Sequence, residues 1–291
     1  MHLDSYHDPE ISGKGLTGPL RIITICTNDL EDTLLFYRDR LGMTATGPIV
    51  STEEQVLRLK QYLDIDPEID ISCYHIYEQD TEGISIRLIY LSQEVPAIKT
   101  SRSALHLGPL GLVCTLAQSE DISSVMKAPD FNQVMISGED ELHKLGIRQS
   151  CLITDQMDKE HDFLTRVLSM SILSDKIMSA GKASPVGLEP NVKYRISQLS
   201  YAEGEKSFLE LIEPQDVALQ EPEVPLRPPY RGQVMWTFMT RDIGEVLARS
   251  HARQIKVYKT PRKITDPIYG DAISMILMSP TGYLIEVYAR L

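Results

Sequence analysis

RIITICTNDLEDTLLFYRDRLGM, residues Arg21 to Met43, decides the fold. RIITICT is rich in β-branched residues and reads as a strand. Asn28 and Glu31 stand three apart, the spacing of a capping box, and open a helix. Leu30, Leu34, Tyr37 and Leu41 recur at helical spacing and give that helix one apolar face. Gly42 is placed to stop it. TATGPIV follows as a short strand and TEEQVLRLKQYLDI as an inserted amphipathic helix. ISCYHIYEQ and ISIRLIYLS close the unit as two strands around the polar turn DTEG. The unit is β-α-β-β-β.

The unit recurs along the chain, which must be settled before any motif is judged. IRQSCLITDQMDKEHDFLTRVLSM (Ile147 to Met170) repeats the strand and helix, with Met170 matching Met43. VKYRISQLSY and KSFLELIEP close that copy. A further complete copy starts at Gly232, with QVMWTFMT, the helix RDIGEVLARSHARQI, then KVYKT, AISMILMS and YLIEVYARL. GLVCTLAQSEDISSVMKA (Gly111 to Ala128) opens a truncated copy with no clear final strand before Ile147. SRSALHLGPLG links the first copy to the truncated one, and EPQDVALQEPEVPLRPPYRG is an extended strap before the last copy. The chain divides into a loose arm (1–18), an N-terminal half (19–143) and a C-terminal half (146–291).

Composition narrows the function. The chain has 291 residues and a formal net charge of −12, which disfavours an electrostatic grip on nucleic acid or an anionic membrane. No apolar stretch approaches a membrane span, and the N-terminus lacks the pattern of a signal peptide. A cytoplasmic protein is expected. Cys26, Cys73, Cys114 and Cys151 form no CxxC pair and read as buried reduced thiols. His75 reads as a structural histidine in a strand, and His106, His143, His161 and His251 as surface residues.

The repeated units, the NDLEDTLLFYRDRLGM opening and the SPTGYLIEVYARL ending resemble the vicinal oxygen chelate superfamily. That superfamily includes glyoxalase I, extradiol dioxygenases and bleomycin-resistance proteins. The resemblance implies an α+β, glyoxalase-like fold of two incomplete barrel-like halves, the N-terminal one degenerate. It also implies metal ligands on the first strand (His or Gln) and last strand (Glu) of each unit. Carried over by spacing, the first-strand positions are Ile22, Cys114, Gln149 and Met235, and the last-strand positions Arg87, Glu210 and Glu286. Ile22, Arg87 and Cys114 make no metal site. Gln149, Glu210 and Glu286 match three of four positions, Met235 standing where a histidine is expected.

The resemblance therefore implies a lyase or isomerase acting on a small oxygenated molecule in the C-terminal cavity. Glu286 is the expected acid, base or ligand, with Glu210 as its partner. Gln149 would orient the substrate beside Met235, Thr237, Phe208 and Tyr288. If Gln149, Glu210 and Glu286 converge, they offer oxygens to one divalent ion such as Mg²⁺ or Mn²⁺. Without a metal, two nearby carboxylates still suit proton transfer. The alternative is a metal-free protein that sequesters a small molecule. An extradiol dioxygenase is disfavoured because both histidine positions are lost. The sheet edges of such a fold also suit a homodimer.

Overall fold

The computed structural model describes residues 15–50, 52–78, 83–98, 107–115, 133–136, 146–180, 191–201 and 208–291. The first unit contains β1 (Thr17–Thr27), α1 (Leu30–Leu34), β2 (Thr44–Thr46), α2 (Glu53–Leu63), β3 (Ile71–Tyr77) and β4 (Ser85–Leu91). The truncated unit contributes β5 (Gly108–Thr115) and β6 (Gln133–Ile136). The third unit has β7 (Gly146–Ile153), α3 (Met157–Asp162), β8 (Ser171–Ser179), β9 (Lys193–Ser200) and β10 (Phe208–Pro214). The last has β11 (Gly232–Thr240), α4 (Ile243–Ala252), β12 (Lys256–Asp266), β13 (Gly270–Met278) and β14 (Leu284–Arg290).

The local reading of the opening stretch needs one change. The cap of α1 is Asp29, whose side chain accepts the Asp32 N–H at 3.0 Å. Asn28 is engaged elsewhere, accepting a hydrogen bond from Arg231 at 2.8 Å. Both α1 and α3 continue as a π-helical turn, over Leu35–Arg40 and Phe163–Val167. The inserted helix α2 carries the capping box between Thr52 and Gln55. The truncated unit does have a last strand, since β6 pairs parallel to β5. Its expected helix lies outside the described residues.

The strands form two open sheets. The eight-stranded sheet runs β12-β13-β14-β11-β1-β4-β3-β2, and the six-stranded sheet runs β6-β5-β7-β10-β9-β8. The sequence reading placed consecutive units together. The sheets instead join the first unit to the fourth, through the antiparallel pair β1–β11, and the second to the third, through β5–β7. Two straps carry the chain between the sheets. They meet where Ala97 bridges Arg231 and where the Leu107 N–H reaches the Gln220 carbonyl at 3.0 Å.

The sheets are tied together by buried polar contacts. Ser150 of β7 accepts from Gln233 at 2.7 Å and from Trp236 at 2.8 Å. Trp236 thus lies on the face opposite Met235, as alternation requires, but it meets the second sheet and Tyr283 rather than a helix. Fully buried Glu160 of α3 accepts from the Ser279 hydroxyl at 2.9 Å and the Thr281 N–H at 2.8 Å. This explains the SPTGY turn, which docks the last unit onto the third. His161, expected at the surface, is buried against Ser197 at 2.8 Å. Cys26, Cys73 and Cys151 are buried free thiols. Among the described residues no helix is long and apolar enough to cross a membrane.

Candidate functional site

The interleaved sheets separate the residues that the sequence grouped. Met235, Thr237, Glu286 and Tyr288 lie on β11 and β14 of the eight-stranded sheet. Gln149, Phe208 and Glu210 lie on β7 and β10 of the six-stranded sheet. The expected site residues are thus divided between the two sheets. Phe208 is placed only by its register with Gln149. Tyr288 does share the Glu286 face, where its ring stacks on Tyr269 at 3.9 Å.

Glu286 is fully buried and saturated with partners. Its carboxylate meets Arg87 at 3.0 Å and accepts from Thr237 at 2.8 Å, Tyr269 at 2.8 Å and Ser274 at 3.2 Å. Arg87, itself 0% exposed, also pairs with Asp266 at 2.8 Å. Asp266 accepts the Ile268 N–H at 2.8 Å, which fixes the turn into Tyr269. The inserted helix joins this cluster, since Tyr62 and Ser274 share a hydrogen bond of 2.6 Å.

Burial raises the Glu286 carboxyl, but Arg87 and the hydroxyl donors outweigh it and hold it below the usual range. Burial raises Asp266 despite Arg87. His75 is in register with Arg87 on β3, and burial, then that guanidinium, lowers its pKa to about 4. This is a core cluster of two carboxyl groups around one guanidinium, with Glu286 held as an ion rather than presented to a substrate.

Glu210 occupies the equivalent position in the other sheet, but its surroundings differ. It is 8% exposed. Its neighbours are Gln198, donating at 3.2 Å, and the Cys151 thiol at 3.7 Å. Gln149, 7% exposed, contacts Cys151 at 3.3 Å and also hydrogen-bonds Glu210. No cation pairs with Glu210 among the described residues. Burial accordingly raises its carboxyl, and the donors from Gln198, Gln149 and Cys151 offset this only in part. Burial and the Glu210 charge also raise the Cys151 thiol.

The register reveals a rule that the spacing argument missed by two residues. Each last-strand residue contacts the first-strand residue directly beside it. Thr24 flanks Arg87 at 3.4 Å, Cys151 flanks Glu210 at 3.7 Å and Thr237 flanks Glu286 at 2.8 Å. Ile22 and Met235 share the same face one pleat away, both fully buried. Cys114 lies on β5, in register with Ile147.

The expected metal set is not assembled. Gln149 and Glu210 are adjacent, while Glu286 is bound to Arg87 in the other sheet. A guanidinium already fills the cation position beside Glu286 and Asp266. Among the described residues no group of three His, Cys, Asp or Glu side chains could hold an ion. The described residues do not fit the divalent centre that the resemblance implied.

Glyoxalase I from Zea mays superposes with a TM-score of 0.64 at 13% identity, covering 93% of this chain and 92% of that one. The chain has the glyoxalase fold. A Bacillus subtilis protein described as a candidate dioxygenase superposes with a TM-score of 0.55 at 12% identity, covering 95% of this chain and 86% of that one. No protein-family model and no curated protein sequence matches the chain. The glyoxalase fold admits many chemistries, so the residues must carry any functional reading.

Proposed function

We propose that the chain is a glyoxalase-fold enzyme catalysing proton transfer on a small oxygenated molecule, with its working site on the six-stranded sheet. One observation carries the reading: Glu210 is a nearly buried carboxyl with no cation partner among the described residues, raised by burial and paired with Gln149. A carboxyl raised in this way is moved toward general acid–base work. Glu210 would take a proton from a hydroxyl-bearing carbon beside a carbonyl, and the electrons of that carbon–hydrogen bond would shift into the carbonyl to form an enediolate. The Gln149 amide would donate to the enediolate oxygen. The hydroxyl proton would pass to that oxygen, and Glu210 would return its proton to the former carbonyl carbon, leaving the former hydroxyl carbon as the new carbonyl. One carbon–hydrogen and one oxygen–hydrogen bond are each broken and remade, so the step is an isomerisation and needs no oxidant.

The expected role of Glu286 passes to Glu210, because Arg87 holds Glu286 as an ion. Solvent deuterium wash-in, followed by NMR across a panel of α-hydroxy aldehydes and ketones, tests this. Glu210→Gln should lower exchange by about 10²–10⁴-fold, with the fold intact by circular dichroism. Unchanged exchange in that variant would sink the assignment. Absence of exchange in the wild type across the panel would leave the second reading, a metal-free binding protein. That reading is favoured by the arginine standing in the cation position of the first sheet.

A further inference from the structure

A cavity of about 270 Å³ opens between α2 and the end of β12. It is near the small end of ligand pockets, which run roughly 300–1,000 Å³. It lies on the eight-stranded sheet, away from Glu210. Leu59, Ile264 and Pro267 give it an apolar wall, and Arg262, Lys263 and Asp266 line it as well.

The charges there are unevenly satisfied. Asp266 is neutralised by Arg87 at 2.8 Å. Arg58, also in the wall, reaches Glu54 at 2.5 Å. Arg262 and Lys263 have no hydrogen bond or ion pair among the described residues. Arg262, in register with Ser274 on the Tyr62 face, is thus an unpaired cation at the cavity among the described residues, in a chain whose net charge is −12; Lys263 also lines the cavity, but alternation turns its side chain to the other face of the strand. The Arg262 guanidinium lies over the Tyr62 ring, 4.6 Å from its centroid. Stacking on an aromatic face fixes the guanidinium plane while its edge N–H groups stay available, the geometry that receives a carboxylate through two parallel hydrogen bonds.

We propose that this cavity binds a small amphipathic carboxylate. Arg262 grips the carboxylate, and the apolar body rests on Leu59, Ile264 and Pro267. The inserted helix α2 thereby has a task beyond covering the sheet: it supplies Tyr62, which holds Arg262 in place. The site does not depend on the proposed chemistry at Glu210.

Isothermal titration with 2-naphthoate and with its uncharged amide tests the proposal. The wild type should bind 2-naphthoate saturably, and the amide at least 10-fold more weakly. The charge reversal Arg262→Glu should lose at least 10-fold in affinity for 2-naphthoate, while Glu210→Gln binds it as the wild type does. Arg262→Lys, a milder change, should weaken binding several-fold because the fork is lost, and it serves if the charge-reversed variant misfolds. No saturable binding of 2-naphthoate, equal affinity for the amide, or undiminished affinity in Arg262→Lys would each overturn the proposal.

Discussion

Glu210 and Glu286 sit at equivalent points of two sheets, each on the last strand of its unit and beside a short polar side chain on the first strand. Only their surroundings differ. Glu286 meets a guanidinium and three hydroxyl donors. Glu210 meets two amides and a thiol. The first carboxyl is pushed down and the second up. One position of a repeated fold thus serves as a buried ion pair in one sheet and as a poised acid or base in the other. Neighbouring side chains, rather than the position, decide which.

The largest effect is expected from removing Arg87. Breaking a buried ion pair leaves an uncompensated charge, at about 3–5 kcal/mol, and here two carboxylates, Glu286 and Asp266, are orphaned together. Arg87→Ala should therefore lose at least that much in urea denaturation, or fail to fold. A loss under 1 kcal/mol would show that the pairing is not what holds this region. Losing one carboxylate while keeping its hydrogen-bonding shape, as in Glu286→Gln, should cost less than Arg87→Ala.

The same cluster predicts a pH dependence. His75 takes up its proton near 6.5 when unfolded but only at about 4 when folded. The unfolded chain binds more protons between those values, so stability from this group is complete above pH 6.5 and falls as pH drops toward 4. The full span corresponds to about 3 kcal/mol. Glu210 and Glu160, both raised by burial, act with the opposite sign: their contribution is lost as pH rises through their folded values. Urea titrations at pH 4.5 and 7 should show His75→Gln losing less stability on acidification than the wild type. Equal losses would remove His75 from the account.

A smaller effect is expected at the seam between the sheets. Ser150→Ala removes the acceptor of both Gln233 and Trp236. Leaving buried donors unpaired costs about 1–3 kcal/mol. Trp236, the sole tryptophan, should report the change in its fluorescence. An unaltered emission maximum together with unaltered stability would mean that Ser150 does not join the sheets.

Much of this was legible in sequence because it is local. Strand composition, helical spacing and the inserted helix each depend on residues a few positions apart, and each is found where the sequence puts it, while the first helix cap falls on Asp29, one residue after the expected Asn28. The glyoxalase fold follows from repeating those local units. Pairing between units was not legible, since β1 and β11 meet through strand edges whose composition does not single out a partner. That missed pairing hid the Arg87–Glu286 contact, because the two residues are distant in sequence and only the sheet order makes them neighbours. Tyr62 and Ser274 read as ordinary members of an amphipathic helix and a strand. Asp266 had a signal, since DPIYG is a turn sequence with aspartate at its head, but nothing in that signal points to an arginine.

The sharpest use of the comparison is the smallest change in stability. Glu210→Gln keeps the shape of the side chain and removes a charge that burial opposes. Gln198 can still donate to the remaining amide oxygen, while the new NH₂ group faces the Cys151 thiol, a weak acceptor. The gain and the loss nearly cancel, so stability at pH 7 should stay within about 1 kcal/mol of the wild type. As pH rises through the folded Glu210 value, the variant should gain stability relative to the wild type, because only the wild type must then hold a buried carboxylate. If Glu210→Gln instead proved as damaging as Arg87→Ala, both carboxylates would be structural, and the proton-transfer reading of the six-stranded sheet would fall with the contrast between them.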